Sequence, residues 1–202
     1  MPERMIRSGS PDACRGFTLV ELGVTLTVLA ILVGLAVPSF ANMTQRNRLT
    51  AAANELVAAL QTARVEAVSR GQSVALCPSN AAAQQCVGSD WSRLIVFIDA
   101  DRNGVVEAPD DEVLRSVVID GAGLHVNASP AVGGKPIRFA PDGLVRVETG
   151  RAASLQVCSD RLTPESNNAR AIRIAVSRVA VEQLAAADCE EPSDVSTVES
   201  ST

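Results

Sequence analysis

A charge-free apolar run of 19 residues, 22–40, constrains this chain more than any other feature of its sequence. A helix needs roughly 20 residues to cross the hydrocarbon core of a bilayer, so the run has the length of one membrane crossing. Glu21 lies immediately before the run. A carboxylate at the edge of hydrocarbon is costly without a partner, which favours a functional role. The sequence therefore predicts a membrane anchor with one functional acid at its start.

The residues around this acid resemble the prepilin signal of type IV pilins and type II secretion pseudopilins. They read Arg15-Gly16-Phe17-Thr18-Leu19-Val20-Glu21-Leu22. The resemblance implies that prepilin peptidase, a membrane enzyme, cuts between Gly16 and Phe17 and N-methylates the new terminal Phe17. Residues 1–16 are then a leader peptide that is removed from the mature protein.

Glu21 has a specific role in similar proteins. The resemblance implies that its carboxylate neutralises the methylated N-terminal amine of a neighbouring subunit during filament assembly. A carboxylate near a helix N-terminus is also favoured by the helix dipole, by a few tenths to ~1 kcal/mol. That local effect does not explain why the charge lies at the edge of the membrane segment. We therefore expect Glu21 to be the assembly residue.

Ordinary secretion is the alternative for the N-terminal region. Ser39-Phe40-Ala41 places small residues where a secretory cleavage site has them, after an apolar segment. The mature chain would then begin near Asn42 as a freely secreted periplasmic β-sandwich binding protein. The uncharged run is longer than a usual signal segment, and secretion leaves the motif at 16–22 unexplained. We favour the prepilin interpretation.

The cysteine count agrees with the proposed cut. Five cysteines are an odd set for a protein exported to an oxidising compartment. Cleavage removes Cys14 and leaves four, which allow three pairings. We favour Cys77 with Cys86, which are close in sequence, and Cys158 with Cys189, which would tie down the C-terminal segment.

The apolar pattern predicts one long N-terminal helix from Phe17 to Arg70. Residues 17–41 form its transmembrane half and 42–71 its amphipathic half, which ends at Gly71. In the second half, apolar residues recur at steps of four and three, along one face of an α-helix. They are Leu49, Ala53, Leu56, Leu60, Ala63 and Ala67.

Proline lies inside this predicted helix. Pro38 follows Gly34 by four residues, removes one backbone hydrogen bond and crowds the carbonyl of Gly34. The pair predicts a kink or a locally melted turn in the helix.

The hydrophobic period changes to two after Gln72, which predicts a β-rich head over 72–189. Pro141-Asp142-Gly143 is a turn that joins two antiparallel strands, and the short connections indicate mainly antiparallel sheets. Residues 190–202, an acidic and Ser/Thr-rich tail, are expected to be disordered. The predicted strands are 73–77, 91–98, 113–119, 124–127, 137–140, 145–148, 154–158, 171–177 and 179–184.

The order of elements is similar to that of the GspH/FimT family of type IV minor pilins and type II secretion minor pseudopilins. The resemblance implies an α+β, pilin-like fold with the N-terminal helix packed on an antiparallel β-sandwich-like head. The matching stretches are Leu76-Cys77-Pro78-Ser79, Asp90-Trp91-Ser92, Val96-Phe97-Ile98-Asp99-Ala100-Asp101 and Glu112-Val113-Leu114-Arg115.

The family resemblance also implies a function and a location. The chain is expected to be a structural subunit for a type IV pilus, in fibre initiation and DNA uptake, or for the type II protein secretion pseudopilus. It would cross the bacterial inner membrane once, with its N-terminus cytoplasmic and its head periplasmic. Its partners would be prepilin peptidase and other pilins or pseudopilins, which it contacts through the N-terminal helix.

An acidic loop is the one candidate cofactor site, for calcium. Its oxygen ligands have the spacing of an EF-hand loop, with Gly104 at the sixth position. The last ligand is Asp rather than Glu, Pro109 lies inside the loop, and strands flank it. Asn103-Gly104 is equally a hairpin turn, so no cofactor is the main expectation. The candidate ligands are Asp99, Asp101, Asn103, Glu107 and Asp110.

DNA is a weaker candidate partner. In DNA-binding members of the branch, Gly-Arg-x-Arg in the last hairpin contacts phosphates. The corresponding Ser177-Arg178-Val179-Ala180 lacks the glycine and the second arginine, so only Arg178 carries over. The turn also becomes a tight turn or bulge. Few phosphate contacts and no interleaved aromatic residues predict weak affinity. Eight cations lie in this part of the chain: Lys135, Arg138, Arg146, Arg151, Arg161, Arg170, Arg173 and Arg178.

No residue pattern predicts catalysis. His125 is the sole histidine and lies in a predicted strand without a nucleophile or ligand near it in sequence. The cysteines are expected to be structural, and no Gly-rich phosphate loop is present. We therefore expect a protein that is not an enzyme.

Overall fold

The structure is a computed structural model. It describes residues 16, 18–80, 82, 85–107, 111–132, 134–148, 150, 152–176, 178–186 and 189–193, with the backbone alone at 35, 37 and 38. Phe17, Cys14, Asp110, Arg151 and Ser177 lie outside the described residues. The chain forms two compact units, 1–41 and 42–202.

A single long helix, α1, runs from Leu19 to Arg70. It begins after Thr18, whose Oγ1 accepts a hydrogen bond from the backbone N–H of Glu21 at 3.2 Å, in the manner of an N-cap. Gly71 ends the helix with a left-handed φ of 65°, as predicted. The helix is continuous through 34–38, so a melted turn is not present. The kink at Gly34 and Pro38 stays a prediction.

The first unit contains the N-terminal part of α1. Its large apolar side chains are exposed, from Leu19 at 87% to Val33 at 50%. Within the described part of the chain, α1 is the one helix whose length and composition would let it cross a membrane.

The second unit contains the rest of α1 and two antiparallel sheets. The strands are β1 Val74–Pro78, β2 Arg93–Ile98, β3 Val113–Val118, β4 Leu124–Ala128, β5 Ile137–Phe139, β6 Val145–Arg146, β7 Ala152–Ser159, β8 Ala169–Ala175 and β9 Arg178–Leu184. One sheet has the strand order β3-β2-β1-β5-β6, and the other β4-β7-β8-β9. A short 3-10 helix, Pro164–Ser166, precedes β8. All nine predicted strands are present, with ends that differ by at most two residues.

The core lies where α1 meets both sheets. The six predicted residues of the apolar helix face are at most 1% exposed. They pack in one cluster with Leu76 and Phe139 of the first sheet and with Leu155 and Ile172 of the second. Four positions of that face, counting Ala59, are alanines, which allow a close approach of the helix. Burial of this apolar face stabilises the second half of α1.

A buried amide fixes α1 against the end of β7. Gln45 is only 6% exposed. Its Nε2 donates to Ser159 Oγ at 2.9 Å and to the carbonyl of Ala122 at 3.3 Å. Because a buried amide is costly unless it is bonded, these contacts fix how far along its axis the helix lies.

Two disulfides join the cysteine pairs favoured from the sequence, Cys77–Cys86 and Cys158–Cys189. The first links the end of β1 to an isolated bridge between Ser79 and Cys86. The second anchors residues 185, 186 and 189–193, which we call the C-terminal strap.

Of the tail that is expected to be disordered, the structure describes residues 190–193. Asn127 Nδ2 donates to the carbonyl of Cys189 at 2.7 Å, and Gln156 Nε2 donates to that of Glu190 at 3.1 Å. Pro192 is buried. A disulfide and two side-chain amides thus hold the start of this segment on the sheet, and the expected disorder of the tail stays a prediction. Residues 194–202 lie outside the described residues.

Candidate assembly site

The predicted cleavage site lies only partly within the described residues. Gly16 is exposed, while Phe17 lies outside the described part. Cleavage and N-methylation at this pair therefore stay a prediction.

Glu21 lies in the first turn of α1 and is exposed. Its backbone N–H is capped by Thr18, and the spacing of the two residues matches one half of a capping box. Thr25 and Thr27 bond carbonyls of their own helix, those of Leu22 and Gly23. Within the described chain the carboxylate of Glu21 has no hydrogen-bond or ionic partner. It is thus available to a group on another molecule.

The acidic loop is built around a buried ion pair. Asp99 is fully buried at the end of β2. Its Oδ2 lies 2.6 Å from Nε of Arg138, and its Oδ1 accepts a hydrogen bond from the backbone N–H of Gly104 at 3.1 Å. Arg138 also donates from Nη2 to the carbonyl of Arg102 at 3.0 Å. A guanidinium therefore supplies the positive charge at the first candidate calcium ligand.

The other loop oxygens bond the loop itself. Asp101 accepts from the backbone and the side-chain amide of Asn103, at 3.1 and 2.8 Å. Asn103 Oδ1 accepts from the N–H of Val105 at 2.6 Å. Glu107 is exposed, and Asp110 lies outside the described residues. Among the residues that the structure describes, no three carboxylate, His or Cys side chains are grouped to hold a metal. Calcium binding by this loop stays a prediction.

Sequence reasoning assigned no partner to Asp99. Arg138 lies 39 residues away in sequence, on a strand, β5, that pairs with β1. In the sequence, Arg138 stands out as a cation between the apolar residues Ile137 and Phe139. Only the pairing of β5 with β1 shows that its acidic partner is Asp99.

Several basic residues of the head form ion pairs with acidic side chains. Arg173 lies 2.7 Å from Glu182, and Arg146 lies 3.3 Å from Asp142. Lys135 lies 3.3 Å from Glu148. The Asp99–Arg138 pair adds a fourth. Burial, with a smaller contribution from Arg46, lowers the pKa of Arg170. Four of the seven cations that the structure describes in this part of the chain thus have acidic partners.

Arg178 begins β9 and is exposed. Only residues 176 and 177 separate it from β8, so the predicted shortening of the hairpin to a tight turn is confirmed. Val176 has a positive φ of 33° in this turn. No acidic group of the described residues pairs with Arg178.

His125 lies on β4 and faces Asp160, with 3.2 Å between Nε2 and Oδ2. Both side chains are about half exposed. His125 thus lies in a strand, as predicted, and its side chain is exposed.

Comparison with known proteins identifies the family. A family model described as type II transport protein GspH matches residues 52–180, and the prokaryotic N-terminal methylation motif matches 12–37. The pilin-like protein PilA1 of Thermus thermophilus is 30% identical over 133 residues, which are 64% of this chain and 78% of that protein.

Two further relatives agree. A fimbrial protein of Pseudomonas aeruginosa is 29% identical over 102 residues, which are 47% of this chain and 66% of that protein, just under two thirds of its length. The crystal structure of the type IV minor pilin FimU of P. aeruginosa aligns with a TM-score of 0.51 and 27% identity, and covers 69% of this chain and 92% of that one. The predicted pilin-like α+β fold is thereby confirmed, and the chain belongs to the GspH family of minor pilins and minor pseudopilins.

Proposed function

We propose that this protein is a minor subunit of a type IV pilus that assembles with other pilins through the N-terminal part of α1. One observation carries the proposal: a charge-free helix segment with exposed apolar side chains follows an exposed carboxylate, Glu21, that has no partner among the described residues. Exposed apolar surface of this extent needs lipid or other helices to cover it.

The proposed assembly begins in the inner membrane, with the N-terminus cytoplasmic and the head periplasmic. Prepilin peptidase cuts after Gly16 and methylates Phe17. Glu21 then pairs with the terminal amine of a neighbouring subunit. Because a desolvated ion pair costs about as much as it contributes, the pair sets the register of the helices more than the strength of their association.

Two machines use such subunits, and the likeness to FimU, a type IV minor pilin, favours the pilus. The type II secretion pseudopilus is the second candidate, because the family model that matches 52–180 is described as a type II transport protein. Deleting the gene and scoring piliation, transformation and exoprotein secretion in the same strain separates them. The pilus proposal expects lost or reduced piliation with normal secretion. Loss of secretion alone contradicts it.

The DNA-uptake role is the weakest part of the proposal. It rests on Arg178, while Arg146 and Arg173 have acidic partners. Replacing Arg178 with Gln in the same strain tests this role: reduced transformation with normal piliation supports DNA contact, and normal transformation contradicts it.

Mass spectrometry of the mature N-terminus tests the processing step. A methylated Phe17 is expected. A start near Asn42 would identify a freely secreted periplasmic protein and exclude filament assembly through α1.

A further inference from the structure

Two arginines lie side by side on the β5–β6 hairpin. Arg138 lies directly opposite Arg146 in the strand register, so both side chains leave the sheet on the same face. This face points away from α1, because Ile137 and Phe139, the neighbours of Arg138 along β5, lie in the core cluster with α1. Like charges directly opposite each other destabilise a strand pair. An anion at this face would relieve that repulsion.

The acidic loop brings a third arginine to the same place. Arg138 Nη2 donates a hydrogen bond to the carbonyl of Arg102 at 3.0 Å, which fixes the loop backbone beside β5. The side chain of Arg102 is exposed and has no hydrogen-bond or ionic partner among the described residues. The carboxylate next to it in sequence, that of Asp101, bonds Asn103 instead. One hairpin and one loop thus bring three guanidinium groups together.

These three arginines line a single cleft of about 490 Å³. All of its lining residues belong to the described part of the unit 42–202. The other lining residues are one serine, two apolar residues and one acid: Ser73, Ala140, Pro141 and Asp142.

Positive charge exceeds negative charge at this cleft. Asp99 is fully buried and lies 2.6 Å from Arg138, and Asp142 lies 3.3 Å from Arg146. The two carboxylates balance two of the three guanidinium groups, which leaves the charge of Arg102. A guanidinium presents five N–H donors in a fork that matches the two oxygens of a carboxylate. The cleft therefore has donors and one positive charge to offer to an anion.

A buried hydroxyl also lines the cleft. Ser73 is only 6% exposed, and its hydroxyl bonds no other residue that the structure describes. Its carbonyl accepts a hydrogen bond from the backbone N–H of Asp99 at 2.9 Å, which holds Ser73 beside the Asp99–Arg138 pair. A buried hydroxyl without a partner is costly, so native structures rarely leave one. An acceptor that enters the cleft would supply this partner.

We propose that this cleft binds a side-chain carboxylate from an acidic segment of a partner protein. Arg102 and Arg146 donate to the carboxylate, and so does the hydroxyl of Ser73. Ala140 and Pro141 contact the methylene groups that carry it. One net positive charge matches a carboxylate, whereas a phosphate monoester carries close to two negative charges. No aromatic residue lines the cleft, so it has no platform on which nucleic-acid bases could stack.

Fluorescence anisotropy with the full chain in an uncharged detergent tests the proposal. The probe is a fluorescein-labelled peptide of ten glutamates, and a peptide of ten glutamines is its uncharged counterpart. Saturable binding of the glutamate peptide alone is expected. The chain has a formal net charge of −5, so its overall charge does not attract this probe. Absence of binding up to about 1 mM, or equal binding of the two peptides, overturns the proposal.

Competition distinguishes a carboxylate site from a phosphate site. Unlabelled glutamate peptide is expected to displace the probe, whereas inorganic phosphate at the same ionic strength leaves it bound. Displacement by phosphate at least as effective as by the peptide contradicts the assignment to a carboxylate.

Matched arginine variants locate the site. Arg102→Gln is expected to weaken the affinity for the glutamate peptide about fivefold, the upper range for one exposed charge pair. Arg178→Gln removes another exposed arginine, on the other sheet, and is expected to leave the affinity unchanged. Equal losses from the two variants overturn the proposal. Neither side chain lies in the core, and Trp91 fluorescence checks that both variants fold.

Ser73→Ala tests the hydroxyl separately. The variant loses one donor to the bound carboxylate, so its affinity for the glutamate peptide is expected to fall about threefold. Because the hydroxyl has no partner in the free protein, its removal should not lower the free energy of unfolding. An unchanged affinity contradicts the role given to Ser73.

Discussion

The Asp99–Arg138 pair shows how single residues stabilise the acidic loop. Asp99 is fully buried and Arg138 is about a quarter exposed, with 2.6 Å between their charged groups. Removing one partner of a buried pair leaves an uncompensated charge and costs about 3–5 kcal/mol. A partly exposed pair contributes much less. The neighbouring Arg146–Asp142 pair is of the second kind, at 3.3 Å and with both side chains more than a third exposed.

Arg138→Met is therefore expected to lower the free energy of unfolding by about 3 kcal/mol. Arg146→Met, directly opposite on β6, is the matched control and should cost at most about 1 kcal/mol. Urea unfolding followed by fluorescence of Trp91, the single tryptophan, measures both. Equal losses from the two variants would show that Asp99 does not depend on Arg138.

Glu21→Ala is expected to leave the head folded and to block incorporation into filaments, because the alanine cannot pair with a neighbour's N-terminal amine. Glu21→Gln keeps the size and removes the charge, and should fail as well. The measurement is the amount of each variant in sheared filaments relative to total membrane protein. Normal incorporation of either variant contradicts the assigned role.

The Cys158–Cys189 disulfide is the covalent link between the C-terminal strap and β7. It joins residues 31 apart, whereas Cys77 and Cys86 are 9 apart. In the chain-entropy account, a longer closed loop restricts the unfolded chain more. The strap also accepts hydrogen bonds from the side-chain amides of Asn127 and Gln156. Release of the strap would therefore remove the partners of these two amides.

Removing the strap disulfide with Cys158→Ala and Cys189→Ala is expected to cost about 4 kcal/mol of unfolding free energy. Removing Cys77–Cys86 in the same way should cost about 3 kcal/mol. Urea unfolding under identical conditions gives the comparison. A larger loss from the shorter loop would show that local packing, not chain restriction, decides the cost.

For the whole molecule, stability is concentrated in the unit 42–202. Among the residues that the structure describes, the buried apolar ones all lie at position 49 or later, and the buried amide of Gln45 is in the same unit. The large apolar side chains from Leu19 to Val33 are exposed.

A chain that begins at Asn42 is therefore expected to fold with both disulfides and to stay soluble, because it keeps the core and loses the exposed apolar segment. Size-exclusion chromatography, disulfide mapping and Trp91 fluorescence measure this. Its free energy of unfolding should lie within about 1 kcal/mol of the full chain in detergent. Aggregation or mispaired cysteines would show that 1–41 is needed for the fold.

Sequence alone determined the features that depend on neighbours along the chain. These features are periodicities and counts, and the structure agrees with them. They are the membrane-length run, the helix face from Leu49 to Ala67, the nine strands and the even cysteine set. The prepilin motif at Gly16 and the position of Glu21 are of the same kind. Local patterns of this type do not require knowledge of which strands pair.

Tertiary structure decided what depends on strand pairing. The partner of Asp99 is Arg138 because β5 pairs with β1, and the tail residues 190–193 are ordered because Cys189 reaches β7. The spacing of the acidic residues made Asp99 a candidate calcium ligand, and the composition predicted a disordered tail. Neither pattern shows the contacts of these residues, because their partners lie more than thirty positions away in sequence.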